Sequence, residues 1–101
     1  MLDRKFFLGF IKIHILYHAA KGPIFGMEIA QELARHGYGI SPGTLYPALH
    51  RLEKEDFLKS QLKVVAGKRR KYYRTTPQGR KVLEQARSKI RELVNEVIEE
   101  K

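Results

Sequence analysis

The sequence predicts a mainly α-helical fold with a small β-hairpin: a winged helix-turn-helix carrying one further helix at its C-terminal end. Three observations predict it. Residues 39–53 open with Ser41-Pro42, a helix start, and then repeat leucine at 45, 49 and 52, so one helix face is apolar and the other polar, aromatic and basic. Residues 60–66 and 70–75 read as two short strands around the basic loop Ala66-Gly67-Lys68-Arg69. Thr76-Pro77 repeats the cap-then-proline signal and opens a last helix running almost to Lys101.

The elements follow in order. Residues 4–20 read as a first helix with two apolar sides, Phe7, Ile11 and Ile15 on one, and Phe6, Phe10, Ile13 and Tyr17 on the other. A helix apolar nearly all round is buried nearly all round. One small domain does not easily cover both sides, so the second side is expected to meet another subunit. Gly22-Pro23 ends this helix. A second helix is expected from Phe25 to Arg35, with Ile29, Ala30 and Leu33 inward and Glu28, Gln31 and Glu32 toward water. His36-Gly37-Tyr38-Gly39 is the corner, its glycines free to take positive φ.

Ser41 is expected to N-cap the third helix, with Pro42 at its first position. Pro47 sits too deep in that helix to avoid a lost backbone hydrogen bond. Such departures gather at functional or strained sites, which points to the outer face. Phe57-Leu58 is expected to close the core. In the last helix Leu83, Ala86, Ile90, Leu93 and Val97 follow a 4-3 spacing, widened by Val82, Val94 and Ile98. That stripe resembles a short coiled-coil seam and predicts dimerisation through it. The chain thus divides into a winged domain, 1–76, and a dimerisation helix, 77–101.

Charge narrows the partner. The formal net charge is +9, and residues 1–79 carry +8 of it. Residues 63–74 hold six basic side chains and no acid. Phosphate backbones attract such a surface whatever their sequence. There is no cysteine, which excludes disulfides and thiolate metal sites and fits a reducing cytoplasm. The apolar run at residues 6–11 is interrupted by Lys12, His14 and His18, so neither a signal peptide nor a membrane span is expected. No nucleophile–base–orienter set and no phosphate-binding glycine loop is present, so an enzyme is not expected. His14 and His18 stand one helical turn apart, a metal-ligand spacing, but no third ligand is apparent and no metal or other cofactor is expected.

At this point the residues resemble the PadR family of transcription regulators. The resemblance rests on Gly22-Pro23, Gly26-Met27-Glu28-Ile29, the run from Tyr38-Gly39-Ile40-Ser41-Pro42-Gly43-Thr44 through Leu45-Tyr46-Pro47-Ala48-Leu49-His50-Arg51-Leu52-Glu53, then Gly67-Lys68-Arg69-Arg70-Lys71-Tyr72-Tyr73-Arg74 and Thr76-Pro77-Gln78-Gly79. The chain length is similar to that of the short subfamily with one C-terminal helix. The resemblance implies a cytoplasmic homodimer that binds a pseudo-palindromic operator in double-stranded DNA. Its third helix would enter the major groove and its wing would reach the adjacent backbone or minor groove. The C-terminal helix would pack on the partner's N-terminal helix. It further implies repression relieved by a small-molecule effector, for which only the dimer interface offers room.

Residue roles follow from chemistry and from that layout. Lys54, Lys63, Lys68, Arg69, Arg70 and Lys71 suit phosphate. Ser41 and Thr44, with the helix-start N–H groups, suit a phosphate at the positive end of the helix dipole. Tyr46, Pro47, His50 and Arg51 are the base-edge or sugar candidates; Arg51 suits either guanine or a phosphate. Tyr72 and Tyr73 alternate across a strand, one inward and one free to face DNA. The competing reading is a winged-helix module whose basic wing binds a protein or RNA. The outer face of residues 43–54 favours DNA, since it offers groove-reading side chains rather than an apolar docking patch.

Overall fold

The computed structural model describes residues 4–101. Its elements are α1 (Arg4–Lys21), β1 (Ile24–Phe25), α2 (Gly26–Arg35), α3 (Pro42–Lys54), β2 (Leu58–Val65), β3 (Lys68–Thr75) and α4 (Pro77–Leu93), the last continuing into a wider π-helical turn at Val94–Ile98. The strands form one antiparallel sheet in the order β1-β3-β2. Strand β1 has no sequence signal of its own. Two residues cannot show a period, and Ile24 and Phe25 are strand only because the free edge of β3 pairs with them at Tyr73 and Tyr72.

The core takes up most of the expected stripes, but Leu16 and Ala19, on neither apolar side expected of the first helix, join it, and Phe7 is only half-buried. Ile11, Ile15, Leu16 and Ala19 of α1 pack with Ile29 and Leu33 of α2, Leu45, Leu49 and Leu52 of α3, and Leu58 and Tyr73 of the sheet. Ala30 is only half-buried. Thr75 ties β3 to α1: its hydroxyl donates to the Leu16 carbonyl at 2.7 Å in a buried setting.

Both helix ends of the helix-turn-helix close by the same device. The Tyr38 N–H donates to the Leu33 carbonyl around Gly37, at φ 88°, and the Phe57 N–H donates to the Leu52 carbonyl around Asp56, at φ 66°. Each is a six-to-one bond around a left-handed residue. Of the two corner glycines only Gly37 takes positive φ. The Thr76 hydroxyl accepts the Gly79 N–H at 3.0 Å, as the cap-then-proline signal predicts. Ser41 occupies the cap position, but its hydroxyl caps no N–H and instead lies 3.4 Å from the Thr44 hydroxyl; its carbonyl accepts from Thr44 and Leu45.

The wing is longer and its turn tighter than the sequence indicates. Val65 pairs with Lys68, leaving only Ala66 and Gly67 in the loop. Both have positive φ, 52° and 76°, the geometry of a type I′ turn, which matches the twist of the strands. Alanine is a poor occupant of that first position. Ala66→Asn is expected to stabilise the domain by about 0.5–1 kcal/mol, read as a melting temperature raised by roughly 2–8 °C.

Helix α4 plays two parts. Its first turns lie on α1 and β3, and Leu83, expected in the dimer seam, is instead 5% exposed within this chain's own core. Arg80 donates to the Ala20 carbonyl at 3.0 Å. Beyond Arg87 every residue is exposed. This overhang makes the molecule 53 Å long and raises its radius of gyration to 14.6 Å, against about 13 Å for a compact domain of this length. Among the described residues no helix is long and apolar enough to cross a membrane.

Candidate nucleic-acid interface

Helix α3 is held by its leucine face and offers the other. Its outward residues divide between two neighbours, a division set by helical spacing. Tyr46 and His50, one turn apart, face the wing. With Phe25, Gly26 and Met27 at the start of α2 and with Lys68, Arg69, Arg70, Lys71 and Tyr73 of β3, they line a cleft of about 620 Å3. Thr44, Pro47 and Arg51 face the other way. They line a groove of about 470 Å3 with Gly43 and Ala48 and with Lys5, Leu8 and Lys12 of α1. Arg51, Lys5 and Lys12 give its rim positive charge. The two α1 lysines carry no motif, and only the groove that α1 and α3 line together reveals them.

Tyr46 crosses the start of α2. A Cβ at Gly26 would lie 2.9 Å from its hydroxyl oxygen, so glycine there lets the ring lie against the α2 backbone. Pro47 has no N–H for the Gly43 carbonyl, and the helix carries on through it. Lys54 is exposed at the end of α3 and lines neither groove.

The wing and the helix are joined by a contact that the sequence does not announce. Glu53 on α3 accepts a hydrogen bond from the Ser60 hydroxyl on β2, and its other oxygen lies 3.4 Å from Lys71 Nζ on β3. The Ser60 hydrogen bond, and after it the Lys71 charge, hold the Glu53 carboxyl below its ordinary pKa against a partial burial that opposes them. Lys71 therefore bridges wing and helix, and its ammonium also sits 5.6 Å from the Tyr73 ring. The Lys71 side chain nonetheless remains 47% exposed, so its ammonium stays open to solvent beside the exposed Lys68 and Arg69.

Alternation places the two tyrosines on opposite faces of β3. Tyr73 is the inward one. Its burial pushes the phenol pKa up, so the ring stays neutral. Tyr72 is half-buried on the outer face, in edge contact with Phe25 at 5.5 Å and with Lys63 Nζ 5.3 Å from its ring. The Arg70 guanidinium covers the other ring of this layer, 4.5 Å from the Phe25 centroid. Tyr72 is thus separated from the α3 face, and the structure does not bring it together with Tyr46 and His50.

A helix-turn-helix whose second helix stands beside a basic hairpin, tied to it through Glu53, defines the winged-helix fold. The chain belongs to the PadR-like family of transcriptional regulators, whose family model matches residues 15–85. It is 48% identical over 95 residues to the transcriptional regulator Rv3488 of Mycobacterium tuberculosis, covering 94% of this chain and 89% of that one. Among solved structures it is similar to a PadR family transcriptional regulator from Eggerthella lenta, with TM-score 0.81 and 33% identity over 94% of this chain and 84% of that one. A transcriptional regulator from Clostridium thermocellum gives TM-score 0.79 and 34% identity, over 95% and 96%.

Proposed function

We propose that this regulator is a homodimer that binds a pseudo-palindromic site in double-stranded DNA and acts by occupancy rather than catalysis. In this reading α3 enters the major groove. Tyr46, His50 and Arg51 meet base edges or sugars, Ser41 and Thr44 a phosphate at the helix start, and Lys54, Lys68, Arg69 and Arg70 the flanking backbone. Tyr72 supports the wing from behind. The observation that carries the reading is the cleft in which Tyr46 and His50 of α3 meet the wing cations, with the wing tied to α3 through Glu53. A regulator of this kind works in the cytoplasm, where the chromosome is.

The dimer is supported by two exposed apolar stripes that converge. Phe6, Phe10 and Tyr17 on α1, and Ile90, Leu93, Val94, Val97 and Ile98 at the end of α4, are all exposed in the single chain. Ile13 and Ala86 are half-buried at the edge of the same surface. Phe10, Ile13, His14, Tyr38 and Ile90 line a notch of about 290 Å3 between the two helices. A second copy would cover these stripes, and a small effector entering the notch would reach both helices of the seam. Repression relieved by such a molecule is the regulatory mode proposed.

The test is a selection of bound sequences from random DNA, followed by affinity against salt for the selected site. Removing two phosphate contacts per subunit, Arg69→Ala with Arg70→Ala, is expected to lower the slope of log affinity against log salt by about 1.8 for each half-site, at roughly 0.9 per contact. An unchanged slope rules out the wing as a phosphate clamp, and a chain that selects no sequence overturns the reading.

A further inference from the structure

The fold completes a set that the sequence leaves at two. His14 and His18 project from one face of α1 with their rings nearly parallel, 13° apart, and centroids 6.5 Å apart. His36, at the C-terminal end of α2, stacks on His14 at 4.7 Å and lies 6.3 Å from His18. One ring nitrogen from each lies within 4.8 Å of the other two. The third ligand escapes sequence reading because a helix of a different face and direction separates it from the first two.

Two features distinguish this cluster from a satisfied polar layer. His18 Nε2 is buried and, among the described residues, is the side-chain nitrogen or oxygen found buried without a hydrogen-bond partner. Glu32 Oε2 stands 3.8 Å from it, too far for a hydrogen bond but within reach of an ion held between them.

We propose that His14, His18 and His36 form a binding site for a divalent transition metal of the zinc class, with Glu32 or water in the fourth position. Three imidazoles and an oxygen suit Zn2+ and Co2+ in a tetrahedral arrangement, and not the oxygen-seeking Mg2+ or Ca2+. Metal–nitrogen bonds of about 2.0–2.1 Å need ligand nitrogens roughly 3.3 Å apart. His36 supplies that contraction, since its side chain is exposed at the mouth of the cluster. A bound ion ties α1 to the corner between α2 and α3. It does so beside Tyr38, whose ring is 5.4 Å from that of His14 and lines the notch next to Ile90. Occupancy therefore braces the helix-turn-helix against the helix proposed for dimerisation. That last consequence rests on the DNA-binding dimer reading; the site itself does not.

The test uses the full chain without any affinity tag, stripped with chelator and titrated first with Co2+ and then with Zn2+. The expected result is one ion per chain, tetrahedral ligand-field absorption with Co2+, and its loss on adding Zn2+. His36→Asn, at an exposed position, leaves the circular dichroism unchanged and weakens Zn2+ binding by at least about 100-fold, beyond the 10–100-fold that loss of an outer-shell partner costs. His14→Asn gives the same loss. Zn2+ binding that is absent, or that His36→Asn leaves intact, overturns the proposal. Both readouts are taken without DNA, so they stand apart from the outcome of the operator selection.

Discussion

Gly79→Ala is expected to lower the melting temperature by at least about 12 °C. A Cβ at this position would lie 2.2 Å from the Phe57 carbonyl oxygen and 2.7 Å from the Thr75 methyl. The carbonyl cannot retreat, because it already accepts the Thr76 N–H at 3.1 Å, and the Thr76 hydroxyl donates to the adjacent Asp56 carbonyl at 2.6 Å. The methyl cannot retreat either, because the Thr75 hydroxyl is anchored on α1. Relief must come from shifting the start of α4, which removes the Thr76 cap and loosens Leu83. Overpacking costs about 1–3 kcal/mol, the lost cap about 1 and the lost backbone bond about 1. The sum, about 3–5 kcal/mol, is a large part of the stability of a small domain and corresponds to roughly 4–8 °C per kcal/mol. Gly26→Ala is the control. The three atoms nearest its added methyl all belong to the hydroxyl end of the exposed Tyr46 ring. It is expected to leave the melting temperature within a few degrees and to reposition Tyr46. Thermal unfolding of both variants at one protein concentration checks the pair; a Gly79→Ala chain that melts with the native one shows that α4 starts elsewhere.

The contrast between those glycines also shows what a sequence can disclose. Local signals are legible: the leucine register of α3, the caps before Pro42 and Pro77, the basic strand pair. Each is a statement about neighbours along the chain. What stays hidden is set by residues far apart in sequence. Nothing near Gly79 announces that Phe57 lies against it. Strand β1 exists because β3 has an edge to pair. Glu53 reads as an ordinary surface carboxylate on a helix until Ser60 and Lys71 close on it. The outer face of α3 reads as one surface, yet α1 on one side and the wing on the other divide it in two. Leu83 continues the spacing of Ile90 and Val97 perfectly well, but the stripe crosses the boundary between the domain's own core and its exposed overhang, and periodicity carries no mark of that boundary. His36 reaches His14 only because the corner after α2 turns back along α1.

Replacing Leu93 and Val97 by glutamate is expected to convert the proposed dimer to a folded monomer and to abolish the tight operator binding proposed for it. The two side chains are 46% and 63% exposed in the single chain, so they contribute little to its own core. Removing them should leave the circular dichroism unchanged. In a two-fold interface each substitution occurs twice, so four apolar side chains leave the seam and four carboxylates enter it. At about 1.5–3 kcal/mol for full burial of each apolar group, and with about half of each side chain left to cover, the loss is at least about 3 kcal/mol, or more than two orders of magnitude in the dimer dissociation constant, before the burial of any charge is counted. Deleting residues 80–101 is a poorer test, since it also takes Leu83 from the core and Arg80 from the Ala20 carbonyl and is expected to unfold the chain. Sedimentation of the double variant gives the answer directly. A monomer that still binds single half-sites weakly separates the two roles, α3 and the wing reading DNA and the overhang of α4 setting the spacing between readers. A double variant that sediments as a dimer places the seam elsewhere, and the exposed stripe of α4 would then need another occupant.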